Sequence, residues 1–360
     1  MFGTVRTLWA LMVVFGHLFW LSDFGRFAVF GFYTLSGYLM TYVMHNSYGY
    51  NASGRKRFAL NRFLRLYPPY WFACLISFVL LLVFATQMPR GGFSTIALPN
   101  NMLSVFGNIT MVFAHWIPHS ITPRLSPAAW ALTVELFFYV AICLGISKTF
   151  KRTIIWLSLS LLFIGFSYAA NLYWHARYFS IPAGSLPFSI GALIYFIVKL
   201  EKIPQGLQCL LTRPALILIS MVSISAIVAW LIPQGINPAL VELMFYLNML
   251  VSALLVLSLA MGNSISNKIS KGFDKFVGDF SYPIYLLHYQ VSMLASVLLL
   301  GEVSKFKDAF NLGALVLVCL GLIAISLLVI KCIDEPVEKI RNAIRHNTNK
   351  PSPSTKATLN

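Results

Sequence analysis

Residues 6–17, RTLWALMVVFGH, set an arginine and a histidine in one apolar run, and a membrane helix normally excludes both side chains. On a helix, the eleven steps from Arg6 to His17 rise about 16 Å and turn through about 1,100°, which brings the two within roughly 20° of one face. One stripe then offers a cation near one membrane surface and an imidazole deep inside. The pair reads in two ways. It is either a functional site, the default for ionisable groups in a span, or an N-terminal anchor with a snorkelling arginine and a buried, satisfied histidine.

Composition settles the class. The 360 residues are 58% hydrophobic and 11% charged, with a mean hydropathy of +0.75. A soluble domain carries about 25% charged residues, so the chain reads as a polytopic, all-α membrane bundle. Its 29 Phe, 16 Tyr and 8 Trp suit lipid-facing surfaces and interfacial belts. Five scattered cysteines (Cys74, Cys143, Cys209, Cys319, Cys332) show no C-x-x-C spacing, so neither a disulfide framework nor a metal site is expected. The net charge of +16 matters here by its placement, and no nucleic-acid partner is expected. Ser22 to Arg26 lacks a small-x-small cleavage site, so the first apolar run reads as a retained helix.

Ten apolar runs have spanning length: 5–22, 27–44, 68–86, 127–146, 153–170, 180–198, 214–232, 241–262, 279–300 and 311–331. A weaker stretch at 102–114 reads as a re-entrant or interfacial helix in the loop 87–126. With the N-terminus cytoplasmic, the inner segments gather most of the 27 Lys and Arg, including Arg55, Lys56, Arg57, Arg62 and Arg65, and a cluster from Lys331 onward. The outer loops keep only Arg26, Arg90, Arg124, Arg177, Lys305 and Lys307. Both termini are therefore expected in the cytoplasm. Residues 1–345 read as one membrane domain and 346–360 as a disordered cytoplasmic tail, and no stretch is long enough for a soluble second domain. No internal repeat is evident, which weakens a transporter built from inverted halves.

Of the eleven acidic residues, only Glu135 and Glu242 fall in apolar spans. Glu242 lies near the outer start of its helix, where it can reach water or cap. Glu135 lies about 12 Å below the outer end by helical rise and needs a cation, a hydrogen-bond partner or a proton. In FSYPIYLLH, Ser281, Tyr285 and His288 recur at i, i+4 and i+7 as one polar stripe, suited either to interhelical hydrogen bonding or to a site. Ser36-Gly37 interrupts FGFYTLSGYLM at mid-span. Alternating helix directions put His17, Ser36, Glu135 and His288 near one depth, which suggests a cavity. Arg62 and Arg65, at i and i+3 in KRFALNRFLRLYPPYW, share a helix face that suits a lipid-headgroup anchor or a phosphate clamp, and Pro68-Pro69 is expected to turn the chain into the membrane. His115 and His119 have metal-like spacing, but Pro118 between them makes them loop or interface residues.

Taken in order, these elements resemble the acyltransferase-3 family of integral membrane acyltransferases. The matching pieces are R-x10-H (Arg6, His17), FGFYTLSGYLM with Ser36-Gly37, RFLRLYPPYW with Arg62 and Arg65, AAWALTVELFFY with Glu135 and Tyr139, GDFSYPIYLLH with Tyr285 and His288, and DEPVEKI. Most families write the fourth as W-S-L-x-x-E; Ala131 replaces the serine here, so no role rests on that hydroxyl. The resemblance implies transfer of an acyl group, commonly acetyl, from cytosolic acyl-CoA to a hydroxyl of an envelope saccharide such as O-antigen, capsule or exopolysaccharide. It also implies the bacterial inner membrane. Some members carry a fused SGNH-type domain. The stretch after the last run is too short for one, so handover within the membrane domain or through a separate extracytoplasmic partner is expected.

A pantetheine arm extends on the order of 15–20 Å, comparable with the roughly 16 Å from Arg6 to His17. The CoA phosphates are then expected on Arg62 and Arg65, with Arg6 at the channel mouth and the thioester near His17. His17 would serve as general base or transient acyl carrier, with Glu135 fixing its tautomer. Ser36, Tyr139, Tyr285 and His288 would contact substrate. Two rivals stand beside this: a secondary transporter with a His17/Glu135/His288 proton relay, and a subunit that moves a lipid-linked saccharide without chemistry.

Overall fold

A computed structural model describes residues 1–19, 23–87, 96–200, 203, 205–266, 269–303, 306 and 312–346. The expected tail from 347 onward, and Arg90, Lys202, Lys268, Lys305 and Lys307 of the charge pattern, lie outside the described residues. The chain forms an all-α, polytopic membrane-helix bundle. In order, its helices are α1 (Phe2–Leu18), α2 (Arg26–Val43), α3 (Ala52–Val83), α4 (Met102–Thr110), α5 (Ala129–Leu144), α6 (Phe150–Ala169), α7 (Trp174–Phe179) and α8 (Ile181–Leu200). There follow α9 (Gln205–Leu211), α10 (Pro214–Leu231), α11 (Pro238–Ala260), α12 (Lys271–Asp279), α13 (Ser281–Leu300), α14 (Leu312–Val329) and α15 (Glu335–His346).

Among the described residues, eight stretches centred on α2, α3, α6, α8, α10, α11, α13 and α14 are long and apolar enough to cross a membrane. The runs expected at 5–22 and 127–146 form the shorter apolar helices α1 and α5, of 17 and 16 residues. At 1.5 Å per residue these reach about 25 Å, less than the roughly 30 Å of a hydrocarbon core. They are also the helices that carry His17 and Glu135. The run at 102–114 contains α4, whose Met102, Phe106 and Ile109 are exposed.

Local chemistry sets the ends. The Asn51 side chain accepts from Gly54 N at the start of α3, Thr149 does the same for Arg152 N in α6, and Asn101 and Ser104 form a capping box on α4. The first turn of α1 is capped from another helix, since Asp274 of α12 accepts from Gly3 N, Thr4 N and the Thr4 hydroxyl at 3.1, 2.8 and 2.7 Å. Pro68 and Pro69 depart from the expected turn. They lie inside the unbroken 32-residue α3, which joins the basic segment to the apolar one. Packing against neighbouring helices lets a membrane helix tolerate the missing donors.

α2 runs through the middle of the bundle and packs against α1, α5, α8 and α11. Its approach to α8 is close enough to require glycine from both sides. A Cβ on Gly37 would lie 2.2 Å from the Phe188 carbonyl oxygen, and one on Gly191 would lie 2.0 Å from that of Thr34. Gly37→Ala should therefore cost roughly 1–3 kcal/mol through overpacking. Its thermal midpoint in detergent should fall, whereas Gly165→Ala on α6, with nothing within 4 Å of the added carbon, should leave the midpoint in place. Equal midpoints for the two variants would refute this account of the contact.

Candidate active site

Two cavities meet inside the bundle. The smaller, about 260 Å³, lies toward the end that holds Met1 and is lined by Arg6 of α1, Ser36 of α2, Arg62 and Arg65 of α3, Glu135 and Tyr139 of α5, and Ser281, Tyr282 and Tyr285 of α13. Glu135 is half-buried and accepts hydrogen bonds from Ser36 at 2.6 Å and from the Tyr139 hydroxyl one helical turn away. Arg62 donates to Asn61 at 2.7 Å and lies over the Phe58 ring. Among the described residues, the buried Nε atoms of Arg6 and Arg62 have no protein partner. Among the described residues, none of Arg6, Arg62 and Arg65 forms an ion pair with a carboxylate. Guanidinium forks gathered in a cavity with donors to spare suit a phosphate or carboxylate ligand.

The larger cavity, about 980 Å³, opens toward the opposite end. His17 near the end of α1, Asp23 and Arg26 at the entry to α2, the 119–127 loop, Trp130 of α5, Tyr178 and Phe179 of α7, and Tyr289 of α13 line it. The two short helices α1 and α5 both end here, and the space lies beyond their ends. Arg124 braces the loop by donating to the carbonyls of His119, Ile121 and Pro127 at 2.8, 2.6 and 3.1 Å. Burial pulls the Arg124 guanidinium down to about 10, so it keeps its charge at neutral pH. Burial, with Arg124 and then His175 adding to it, pushes His119 down to about 4.

Val29 and Tyr285 line both cavities and so form the partition between them. The Tyr285 hydroxyl is tied to the Ala128 carbonyl at 3.0 Å, and its ring stands edge-on to Phe32. At the partition, His17 Nδ1 lies 3.0 Å from His288 Nε2, while His288 Nδ1 lies 2.8 Å from the Tyr285 carbonyl. His288 is fully buried, and Tyr289 packs against both imidazoles.

Seven of the nine residues singled out from the sequence (Arg6, Ser36, Arg62, Arg65, Glu135, Tyr139 and Tyr285) thus line the smaller cavity. His17 lines the larger, and His288 stands behind it. The expected bond from Glu135 to His17 is replaced: Glu135 pairs with Ser36 and Tyr139, and His17 pairs with His288. Glu242, expected to reach water or cap its helix, is half-buried and held by side chains of other helices. Arg177 grips it with two donors at 3.0 and 2.7 Å, and Tyr168 adds a third at 2.6 Å. In the sequence Arg124 is one more outer-loop cation. Its one signal is position, a lone arginine between prolines in TPRLSP.

An integral, multi-pass membrane protein with an arginine-lined cavity meeting a larger one at a histidine pair is the class that fold and site define. The acyltransferase-3 model, described as an acyltransferase domain, matches residues 3–331, and the chain belongs to that family of membrane acyltransferases. No curated protein and no solved structure matches the chain. Among the described residues, no group of three or more His, Cys, Asp or Glu is placed to hold a metal ion.

His119 carries a prediction. Its pKa is near 6.5 when unfolded and about 4 in the fold, so the unfolded chain binds the extra proton between those values. Its contribution is complete above pH 6.5 and is lost as pH falls toward 4. The thermal midpoint should drop more steeply between pH 7 and 5 in the wild type than in His119→Gln. Identical slopes would refute the assignment.

Proposed function

We propose that the protein is an acyl-CoA-dependent O-acyltransferase, with acetyl as the group moved and an envelope saccharide hydroxyl, of O-antigen, capsule or exopolysaccharide, as acceptor. The observation that carries this reading is the meeting of two chemically distinct cavities at one partition. Arg62, Arg65 and Arg6 take the phosphates of the donor at the Met1 end, and the pantetheine arm runs past the Ser36–Glu135–Tyr139 cluster toward the partition. A volume of about 260 Å³ suits the arm and thioester, leaving the nucleotide at the mouth. The larger cavity holds the saccharide against Trp130 and Phe179, with its hydroxyl at His17.

In this mechanism His17 takes the acceptor proton as oxygen attacks the thioester carbonyl. Glu135 keeps Ser36 and Tyr139 in place along the donor path. Residues 1–345 act as one catalytic unit in the bacterial inner membrane. The Met1 end faces the cytoplasm, where acyl-CoA and most of the Lys and Arg lie, and both termini are on that side. The acceptor arrives lipid-linked or through a separate extracytoplasmic partner, and membrane lipids surround the unit. A proton-coupled transporter would have no use for three guanidiniums that, among the described residues, pair with no carboxylate.

Reporter fusions after Asn171 and at the C-terminus should report opposite sides of the membrane; the same side for both would remove the orientation. Purified protein should transfer label from acetyl-CoA to glycans of envelope membranes. Arg62→Ala or Arg65→Ala should each lose about 10- to 150-fold in donor affinity, the worth of a charge-assisted contact of about 1.5–3 kcal/mol, and the double variant more. His17→Ala should remain folded and lose about 10²- to 10⁴-fold in turnover. Unchanged donor affinity would return the arginines to lipid anchoring, and near-normal turnover of His17→Ala would refute the base.

A further inference from the structure

We infer that His288 is a positioning residue that holds His17 in the Nδ1-protonated tautomer, with the Tyr285 main-chain carbonyl as the anchor of the relay. The inference rests on His17 being the base of the proposed transfer. A carbonyl oxygen only accepts, so the 2.8 Å contact requires His288 Nδ1 to carry its proton. His288 is 0% exposed and, among the described residues, has no carboxylate hydrogen-bond partner, so its imidazole is neutral. Its Nε2 then carries a lone pair. The only proton able to fill the 3.0 Å gap to His17 is one on His17 Nδ1. That assignment makes Nε2 the basic nitrogen of His17, a residue that lines the larger cavity.

The relay does the work that a buried aspartate does in a serine-protease triad: it selects the tautomer, fixes the ring and steadies the imidazolium. The carboxylate expected in that role is engaged elsewhere, with Ser36 and Tyr139. Tyr289 stacks at 5.2 Å from the His17 ring and 4.3 Å from the His288 ring, which limits rotation of both. During transfer the acceptor O–H bond breaks as the ester C–O bond forms, and the proton passes to His17 Nε2. The thioester C–S bond breaks, and that proton leaves on the sulfur as free CoA thiol. The His17 cation formed in between donates through Nδ1–H to His288 Nε2. The other charged or titratable groups around this cavity are Asp23, Arg26, His119, Arg124 and the tyrosines 178, 285 and 289.

The test reads the tautomer directly. Full-length protein labelled with ¹⁵N-histidine is measured by NMR in detergent above the pH range of histidine titration. With seven histidines in the chain, His17→Ala identifies the His17 signals by difference. We expect His17 Nδ1 in the protonated range and Nε2 in the unprotonated range. His288→Gln, which keeps an acceptor near the same place, should preserve that pattern, and His288→Phe should abolish it. A wild-type His17 protonated on Nε2 overturns the inference, whether or not either variant folds. So does a folded His288→Phe with unchanged His17 signals. The measurement needs neither donor nor acceptor, so its failure is distinct from failure of the acyltransferase reading, which the transfer assay decides.

Discussion

Hydrocarbon offers no hydrogen bonds, so each guanidinium, carboxylate and imidazole carried into the bundle must find a protein partner or line a cavity. The helices are arranged around that requirement. Glu135 is met by Ser36 and Tyr139, His17 by His288, and Glu242 by Arg177 and Tyr168. Arg6, Arg62 and Arg65 face a cavity. The outward surfaces show the opposite chemistry: Leu159 and Leu162 of α6, Ile219 and Ile227 of α10, and Leu320 and Ile323 of α14 are exposed, as lipid contact demands. The short reach of α1 and α5 belongs to the same design, because helices that stop early leave room beyond their ends for a polar cavity.

The two cavities differ in how their charges are held. Arg124, on the larger one, spends its donors on three backbone carbonyls, and Arg26 pairs with Asp23 at 2.5 Å. Those cations shape the walls. On the smaller cavity the Nε atoms of Arg6 and Arg62 have no protein partner among the described residues, which leaves those donors for a ligand. Bracing on one side and donors held in reserve on the other are what the proposed division between acceptor and donor asks of the two spaces.

Much of this arrangement was legible in the sequence because two kinds of information reside there. Helical turn gives the face shared by Arg62 and Arg65, which both line the smaller cavity. Helical rise puts Ser36, Glu135, His17 and His288 near one level, whereas the structure divides them, Ser36 and Glu135 on the smaller cavity and His17 on the larger. Lateral neighbours are not encoded so simply. Depth alone cannot say whether Glu135 or His288 stands beside His17, and the pairing expected for Glu135 was therefore misplaced. Pro68-Pro69 reads as a turn by local rules, yet tertiary packing carries α3 straight through it. Arg124 was missed because a loop arginine looks solvated until the carbonyls it grips are known.

The choice of histidine over carboxylate beside His17 has an electrostatic logic. A triad aspartate would place a full negative charge at the partition throughout the cycle, and a buried charge costs several kcal/mol unless it is paired. The His17–His288–carbonyl chain is neutral at rest under the proposed relay, and it takes on one positive charge only while the proton is in transit. Glu135 lies instead in the cavity lined by Arg6, Arg62 and Arg65, whose charges oppose its own. Under the proposed function, an anionic donor in that cavity would complete the balance of charge. Under the proposed relay, the His17–His288 pair at the partition carries charge only for the duration of the reaction.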